Sequence, residues 1–232
     1  PTTCGTGSEV TNISVMNRVS KGVKMGLASD AMLADKAVLI TNLLDSMPYQ
    51  VFATSSIDAM VHSAESFLSP NGCSISRLFS SEALKLILTC WDKVVKEGGE
   101  EAWKRYAAEF LEASNWAGLG FGYAAVPPFM RVLSTRFGIS HSARTVQSVM
   151  FQDVMKMYKK LCPDGRINEL EALIAESLHV TPDTSLETLY ALMDKVLKKA
   201  PLKEFGVRES DLAQFAKDVI QTQQRLIKKQ LC

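Results

Sequence analysis

The pattern of apolar and polar positions divides the chain into an extended first part and a helical remainder. Residues 10–16 alternate β-branched with polar side chains, residues 24–28 form a second short candidate, and residues 37–41 are continuously apolar. Alternation predicts a strand with one exposed face, whereas a continuous apolar run of this length is typical of a strand buried on both faces. We therefore predict strands at these three places.

From Pro48 onward the apolar residues recur at helical spacing. In the first such segment Ile57, Val61 and Ala64 share a face, and the hydroxyl residues 54–56 precede them in the manner of an N-terminal cap. The segment at residues 100–125 predicts one helix or a pair of helices. Predicted helices span residues 55–68, 81–95, 100–125, 154–161, 166–178, 185–199 and 210–229.

The order of these elements predicts the fold class: an α/β remnant followed by an all-α part. We place the boundary after residue 48, so that residues 1–48 hold the last strands of an α/β domain and residues 49–232 form the helical domain. The chain opens with Pro1 inside a dense glycine-threonine loop. We therefore expect it to be an N-terminally truncated fragment.

Composition narrows the class of protein. The 232 residues are 47% apolar and 22% charged with a net charge of +1, which gives no electrostatic reason to expect a nucleic-acid partner. No apolar run approaches the roughly 18 residues of a membrane span, and no secretory signal opens the chain. The five scattered cysteines include no C-x-x-C pair. We therefore predict reduced thiols, a cytoplasmic location, and neither a nucleic-acid nor a membrane partner.

The opening loop and one helix carry candidate chemistry. Residues 5–8 read Gly-Thr-Gly-Ser, whose backbone N–H and hydroxyl groups can bind phosphate or ribose oxygens; an ordinary surface turn is the alternative. Asp58 and His62 lie four residues apart on one helix face and can share a divalent metal ion, or else form a buried Asp–His hydrogen bond. We interpret His179 as a surface or packing residue.

Together the two segments resemble a known family. Residues 1–11 read PTTCGTGSEVT and residues 56–66 read SIDAMVHSAES, which is similar to the P-T-T-x-G-T-G-S-E-V-T and G-x-D-A-x-x-H-A-x-E signatures of the iron-containing (group III) alcohol dehydrogenases. Within that family the sequences around Cys4, at residues 44–52 and at residues 54–59 are most similar to those of the NAD-dependent 4-hydroxybutyrate dehydrogenases.

The resemblance implies a two-domain dehydrogenase of which this chain keeps the C-terminal, helical, metal-binding domain, the N-terminal dinucleotide-binding domain being largely missing. It implies NAD and Fe²⁺ (or Zn²⁺) as cofactors, a small alcohol or aldehyde as substrate, and a homodimer at full length. It further implies interconversion of 4-hydroxybutyrate and succinate semialdehyde, with a broader short-chain primary alcohol or diol dehydrogenase as the alternative. The residues implied at the cofactor are Thr2, Thr3, Thr6, Gly7, Ser8 and Lys24, and two of four metal ligands match Asp58 and His62.

The chain departs from the family at the other two ligands. Those positions fall at Met130 and Arg144, and neither a thioether nor a guanidinium suits this metal. His141 lies three residues from the second position, which is about one helical turn, and is a further candidate ligand. We therefore expect the chain as written to bind metal weakly or not at all and to show no turnover.

A shifted reading frame is one hypothesis for the departure. GCC-GCC-GTT-CAT-GCG encodes Ala-Ala-Val-His-Ala, and the same bases read one position later give Pro-Pro-Phe-Met-Arg, the sequence of residues 127–131. CCG-CAC-GGT encodes Pro-His-Gly and, with the same offset, begins the Arg-Thr-Val of residues 144–146. The hypothesis makes this a frame-shifted, inactive copy. The rival account is divergence to a metal-free, non-catalytic relative.

Overall fold

The computed structural model describes residues 1–21, 23–120, 133 and 146–222. Two strands open the fold, β1 (Ile13–Arg18) and β2 (Val23–Ala28), and they pair antiparallel. The predicted strands at 10–16 and 24–28 are therefore confirmed as strands, the first with its start moved to Ile13. Together they form a small two-stranded sheet.

The rest of the described chain is helical, as the apolar spacing predicts. Each of the seven predicted helices is present among the described residues, and residues 121–125 and 223–229 of the predicted spans lie outside them. Leu133, described on its own, is helical and buried. A small sheet followed by an all-helical domain confirms the predicted fold class. The helices are α1 (Tyr49–Leu68), α2 (Ser74–Lys96), α3 (Ala107–Gly120), α4 (Val146–Leu161), α5 (Ile167–Leu178), α6 (Pro182–Val196) and α7 (Leu212–Thr222).

The predicted buried strand at residues 37–41 is wrong. Residues 37–40 have no regular secondary structure, and a 3-10 turn covers Thr41–Leu44. The Val38 and Ile40 side chains are 63% and 47% exposed. A strand buried on both faces needs backbone partners, and the two strands of the described sheet, β1 and β2, bond to each other. The apolar run therefore stays extended and exposed.

Helices α1 and α2 begin earlier than the sequence predicts. The hydroxyls of Thr54 and Ser56 do not cap a helix; they donate to the carbonyls of Gln50 (2.9 Å) and Ala53 (3.2 Å) inside α1. Helix α1 starts instead directly after Pro48, whose ring disfavours a helical residue before it. The first turns of α2 expose apolar side chains (Ile75 is 67% exposed), which hides their helical periodicity.

The buried core is one cluster to which all seven helices contribute, and its aromatic side chains fix the position of α1. Phe52 stacks on Trp103 with 4.5 Å between ring centroids, and it meets Phe110 edge-on at 4.7 Å. The buried Trp91 indole donates to the hydroxyl of Ser56 over 3.1 Å, so this pair of polar groups is satisfied inside the core. No helix among the described residues is long and apolar enough to cross a membrane.

The cysteines lie in different environments. Cys4, Cys73 and Cys90 are free thiols, and Cys4 and Cys90 belong to the core. Cys162 is disulfide-bonded, so the expectation of reduced thiols is wrong at that position. Burial raises the pKa of Cys4 and of Cys90 to about 11. Hydrogen bonds with the backbone and side chain of Ser76 lower the pKa of the exposed Cys73.

These environments predict an order of thiol reactivity. The thiolate is the nucleophile, so the lowered pKa and full exposure of Cys73 should make it alkylate with iodoacetamide well before Cys4 and Cys90 at pH 8. Peptide mapping of the native protein after brief alkylation measures this order. Equal labelling of Cys73 and Cys4 in folded protein would contradict the burial of Cys4.

Candidate metal and cofactor site

The site begins with two donors on one face of α1. Asp58 and His62 are one turn apart, and the structure places Asp58 Oδ1 3.4 Å from His62 Nε2. Their side chains are only 8% and 10% exposed. The structure therefore brings the two predicted metal ligands together, with their donor atoms facing each other rather than solvent.

This spacing fits one metal ion between the two donors. Two bonds of about 2.1 Å that meet at a tetrahedral angle hold their donor atoms about 3.4 Å apart. A carboxylate oxygen and an imidazole nitrogen suit Fe²⁺ or Zn²⁺. Within the described ranges no group of three or more His, Cys, Asp and Glu side chains could hold a metal. The family resemblance implies two further ligands, and the candidate positions Met130, His141 and Arg144 lie outside the described residues.

A third polar side chain continues the same face. Glu65 lies seven residues after Asp58 and is fully buried. Burial, and after it the charge of Glu65, raises the pKa of Tyr158 on α4. We assigned Glu65 no role from sequence, although it matches the last position of the second family signature. The spacing of positions 58, 62 and 65 was the signal that could have found it.

The opening loop docks one turn before the donor pair. Cys4 Sγ lies 3.6 Å from the hydroxyl oxygen of Ser55 on α1. A Cβ atom added at Gly5 would lie 2.9 Å from both Cβ and the carbonyl oxygen of Ser55. Glycine at position 5 is therefore what permits the loop to approach α1 this closely.

The same loop is clamped on its other side by α3. Gly7 has a left-handed φ of 56°, and its backbone packs against Gly118. A Cβ atom at position 118 would lie 2.9 Å from the Cα atom of Gly7. The Asn115 side chain also donates to a carboxylate oxygen of Glu9 over 3.0 Å. Two helices thus fix the loop beside the face of α1 that carries Asp58 and His62.

The predicted cofactor residues differ in how far they are exposed to solvent. The Thr2, Thr3 and Ser8 side chains are exposed, whereas Gly7 is buried against α3. Thr6 is exposed too, and its hydroxyl accepts a hydrogen bond from the Ser8 N–H over 3.3 Å. Lys24 lies on β2, and its side chain is outside the described part of the molecule. Exposed hydroxyls on a clamped loop can bind a ligand, and their role at NAD stays a prediction.

The sequence comparisons identify the family. Residues 52–230 match the profile of the Fe-containing alcohol dehydrogenase family, C-terminal domain, and residues 1–41 match that of iron-containing alcohol dehydrogenase. The chain belongs to the iron-containing alcohol dehydrogenase family, whose characterised relatives are oxidoreductases.

Two curated dehydrogenases match nearly the whole chain. The chain is 36% identical over 234 residues to 4-hydroxybutyrate dehydrogenase of Clostridium kluyveri, covering 98% of this chain and 61% of that protein. It is 32% identical to long-chain-alcohol dehydrogenase 1 of Geobacillus thermodenitrificans, covering 98% of this chain and 57% of that one. It therefore spans about three-fifths of the length of the curated relatives it matches.

Solved structures share the fold. A 1,3-propanediol oxidoreductase superposes with a TM-score of 0.80 at 21% identity, over 95% of this chain and 58% of that one. Sulfoacetaldehyde reductase from Bifidobacterium kashiwanohense, solved in complex with NAD⁺, gives 0.78 at 23% identity, over 94% and 57%.

Proposed function

We propose that this chain supplies the metal-binding half of an NAD-dependent alcohol dehydrogenase that interconverts 4-hydroxybutyrate and succinate semialdehyde. The observation that carries the proposal is the buried pair of Asp58 and His62, one turn from the docked opening loop. The substrate rests on similarity to the Clostridium kluyveri enzyme. We further propose a homodimer, as the family resemblance implies, and a cytoplasmic location, as the scattered cysteines without a C-x-x-C pair indicate.

The mechanism assigns separate work to the helix and the loop. Asp58 and His62 would hold a divalent ion, which when bound supplies Lewis acidity toward an alcohol or carbonyl oxygen. The hydroxyls of Thr2, Thr3 and Thr6 offer hydrogen bonds to NAD phosphate or ribose oxygens from a loop that α1 and α3 hold in place. Because α1 buries the donor pair, solvent is largely excluded from the face where substrate oxygen would bind.

The chain as it stands should bind metal weakly through this pair alone. We expect Zn²⁺, or Fe²⁺ without oxygen, to raise the melting temperature by at most about 2 °C, because a ligand that binds only the native state stabilises it. Asp58→Ala should abolish the shift, and Asp164→Ala, which removes an exposed carboxylate, should preserve it. Differential scanning fluorimetry measures the melting temperature of the wild-type chain and of both variants. A melting-temperature shift in Asp58→Ala equal to that of the wild-type chain would overturn the assignment of Asp58 as a metal ligand. NADH-dependent turnover by this chain would contradict the prediction that it is inactive.

A broader primary alcohol or diol dehydrogenase is the second candidate. It is supported by the likeness to a long-chain-alcohol dehydrogenase and to the 1-propanol dehydrogenase PduQ of Salmonella typhimurium. A protein that joins this helical domain to the family's dinucleotide-binding domain, with histidine at positions 130 and 144, separates the two. Preference for succinate semialdehyde over butyraldehyde in an NADH assay supports the first, and equal rates support the second.

A further inference from the structure

Residues 36–40 form an extended segment whose backbone is unpaired. Ile40 has extended dihedral angles (φ −121°, ψ 105°), and Leu33, on the other side of the segment, is extended too (φ −67°, ψ 129°). Among the described residues, no hydrogen bond involves the backbone N–H or C=O groups of residues 34–39. Both edges of the segment are therefore open to a further strand, which is how an exposed edge recruits another chain.

The side chains of this segment are mostly apolar and lie in solvent. Successive side chains of an extended segment point to opposite faces, so Val38 and Ile40 share one face and Leu39 points to the other. All three are exposed. Residues 37–44 carry no charge, so this stretch lacks the charged side chains with which edge strands resist association. The segment therefore offers both an open backbone and apolar surface to a partner strand.

Both ends of the segment are fixed to the rest of the fold. Before it, the side-chain amide of Asn12 donates to a carboxylate oxygen of Asp30 over 3.0 Å. After it, the 3-10 turn Thr41–Leu44 ends in the Leu44 side chain, which is fully buried in the core. A segment that is held extended between two anchors loses less conformational entropy when it pairs than a free chain does.

Symmetry limits how two copies of the segment can pair. Two identical antiparallel strands are related by a two-fold axis perpendicular to their sheet, and this axis keeps equivalent side chains on the same face. One residue of each copy therefore lies directly opposite its own equivalent. At Asp35 or Lys36 this would oppose two like charges, which is unfavourable. Val38 is the midpoint of the segment, and an axis there opposes two uncharged β-branched side chains.

We propose that two copies of this chain associate by antiparallel pairing of residues 36–40 about a two-fold axis at Val38. In this register Ala37 of each copy lies opposite Leu39 of the other, and Lys36 lies opposite Ile40. The exposed apolar side chains then cover one another, and the open backbone groups form hydrogen bonds between the two strands. A second copy fits because it brings the same open edge and the same apolar side chains. The pairing needs neither metal nor NAD, so it does not rest on the proposed dehydrogenase activity.

Sedimentation velocity of the whole chain over a range of concentrations tests the association. A strand pair of this length makes a small interface, so we expect a reversible dimer with a Kd of roughly 10 µM. Val38→Lys places two like charges opposite each other at the axis and should raise this Kd by at least about tenfold. Val19→Lys is the matched control. It adds the same charge at a valine that is 88% exposed outside the segment, and it should leave the Kd unchanged.

Disulfide trapping tests the register. Directly opposite residues of antiparallel strands have Cα atoms about 4.5–5.5 Å apart, which a disulfide can bridge. Equivalent residues one step from the axis are about 8 Å apart, which is too far. In a Cys73→Ser background, which removes the exposed free thiol, Val38→Cys should form a linked dimer under copper-phenanthroline oxidation. Leu39→Cys should stay at the level of the background chain on a non-reducing gel.

Each other outcome overturns the proposal. A chain that stays monomeric at ten times the expected Kd leaves the segment to something other than a second copy. A dimer that Val38→Lys does not weaken uses another surface, and the homodimer proposed above would survive that result. Equal trapping through Val38→Cys and Leu39→Cys rejects the axis at Val38. Circular dichroism checks that the variants fold, and if Val38→Lys does not, the trapping comparison decides.

Discussion

Replacing Phe52 with alanine is expected to lower the free energy of unfolding by about 3–5 kcal/mol. Phe52 is fully buried, stacks on Trp103 at an interplanar angle of 11°, and meets Phe110 edge-on. The substitution removes buried apolar surface and two aromatic contacts, and it leaves a cavity between α1 and α3. Because Phe52 lies in the same helix as Asp58, the loss should also loosen the metal-bearing face.

Val51→Ala is the matched control for this substitution. Val51 is the neighbouring residue on α1 and is 36% exposed, so its truncation should cost less than about 1 kcal/mol. Urea denaturation followed by circular dichroism compares the two without relying on Trp103 fluorescence, which the stacked ring itself affects. A loss in Phe52→Ala no larger than that in Val51→Ala would show that the aromatic cluster does not hold α1.

Helical periodicity predicted most of this fold because the core is built from helix faces. The predicted segments at 166–178 and 185–199 lie close to α5 and α6, whose amphipathic pattern runs along the whole element. Helix starts were harder to predict. The first turns of α2 expose Ile75 and Leu78, so their apolar side chains do not follow the buried face. The start of α1 depends on Pro48, whereas sequence reasoning favoured the hydroxyl residues that follow it.

The wrong prediction of a strand at residues 37–41 shows that a local apolar pattern does not specify strand pairing. Val38, Leu39 and Ile40 carry strong β-propensity, but a buried strand forms only where neighbouring strands supply hydrogen bonds. Such partners are a property of the tertiary fold rather than of the run itself. The hairpin of β1 and β2 was predictable because each strand supplies the partner of the other.

The candidate site was predicted in part. The i, i+4 spacing of Asp58 and His62 fixes both side chains on one helix face, so their 3.4 Å approach follows from the sequence. The clamping of the opening loop does not follow, because it depends on glycines at positions 5 and 118 that meet backbone 50 and more than 100 residues away in sequence. Glu65 was missed although its spacing from positions 58 and 62 places it on the same helix face.

Gly118→Ala is expected to separate the opening loop from α3 and to destabilise the fold by about 3 kcal/mol. The new methyl group would lie 2.9 Å from the Cα atom of Gly7 and 2.9 Å from Cγ2 of Val10. Backbone on the other side of the contact cannot rotate away as a flexible side chain can, so the loop itself must move.

Movement of the loop should be visible at Cys4, whose thiol is fully buried in the wild-type protein and has a pKa raised to about 11. In Gly118→Ala this thiol becomes exposed, so its alkylation by iodoacetamide at pH 8 should rise at least tenfold while that of Cys90, buried in α2, stays slow. Leu119→Ala is the control, because Leu119 is the next residue on the same helix and is 41% exposed. Protection of Cys4 that survives in Gly118→Ala would show that the loop is held by Ser55 and α1 alone. The clamp on α3 would then have no part in positioning the residues proposed to bind NAD.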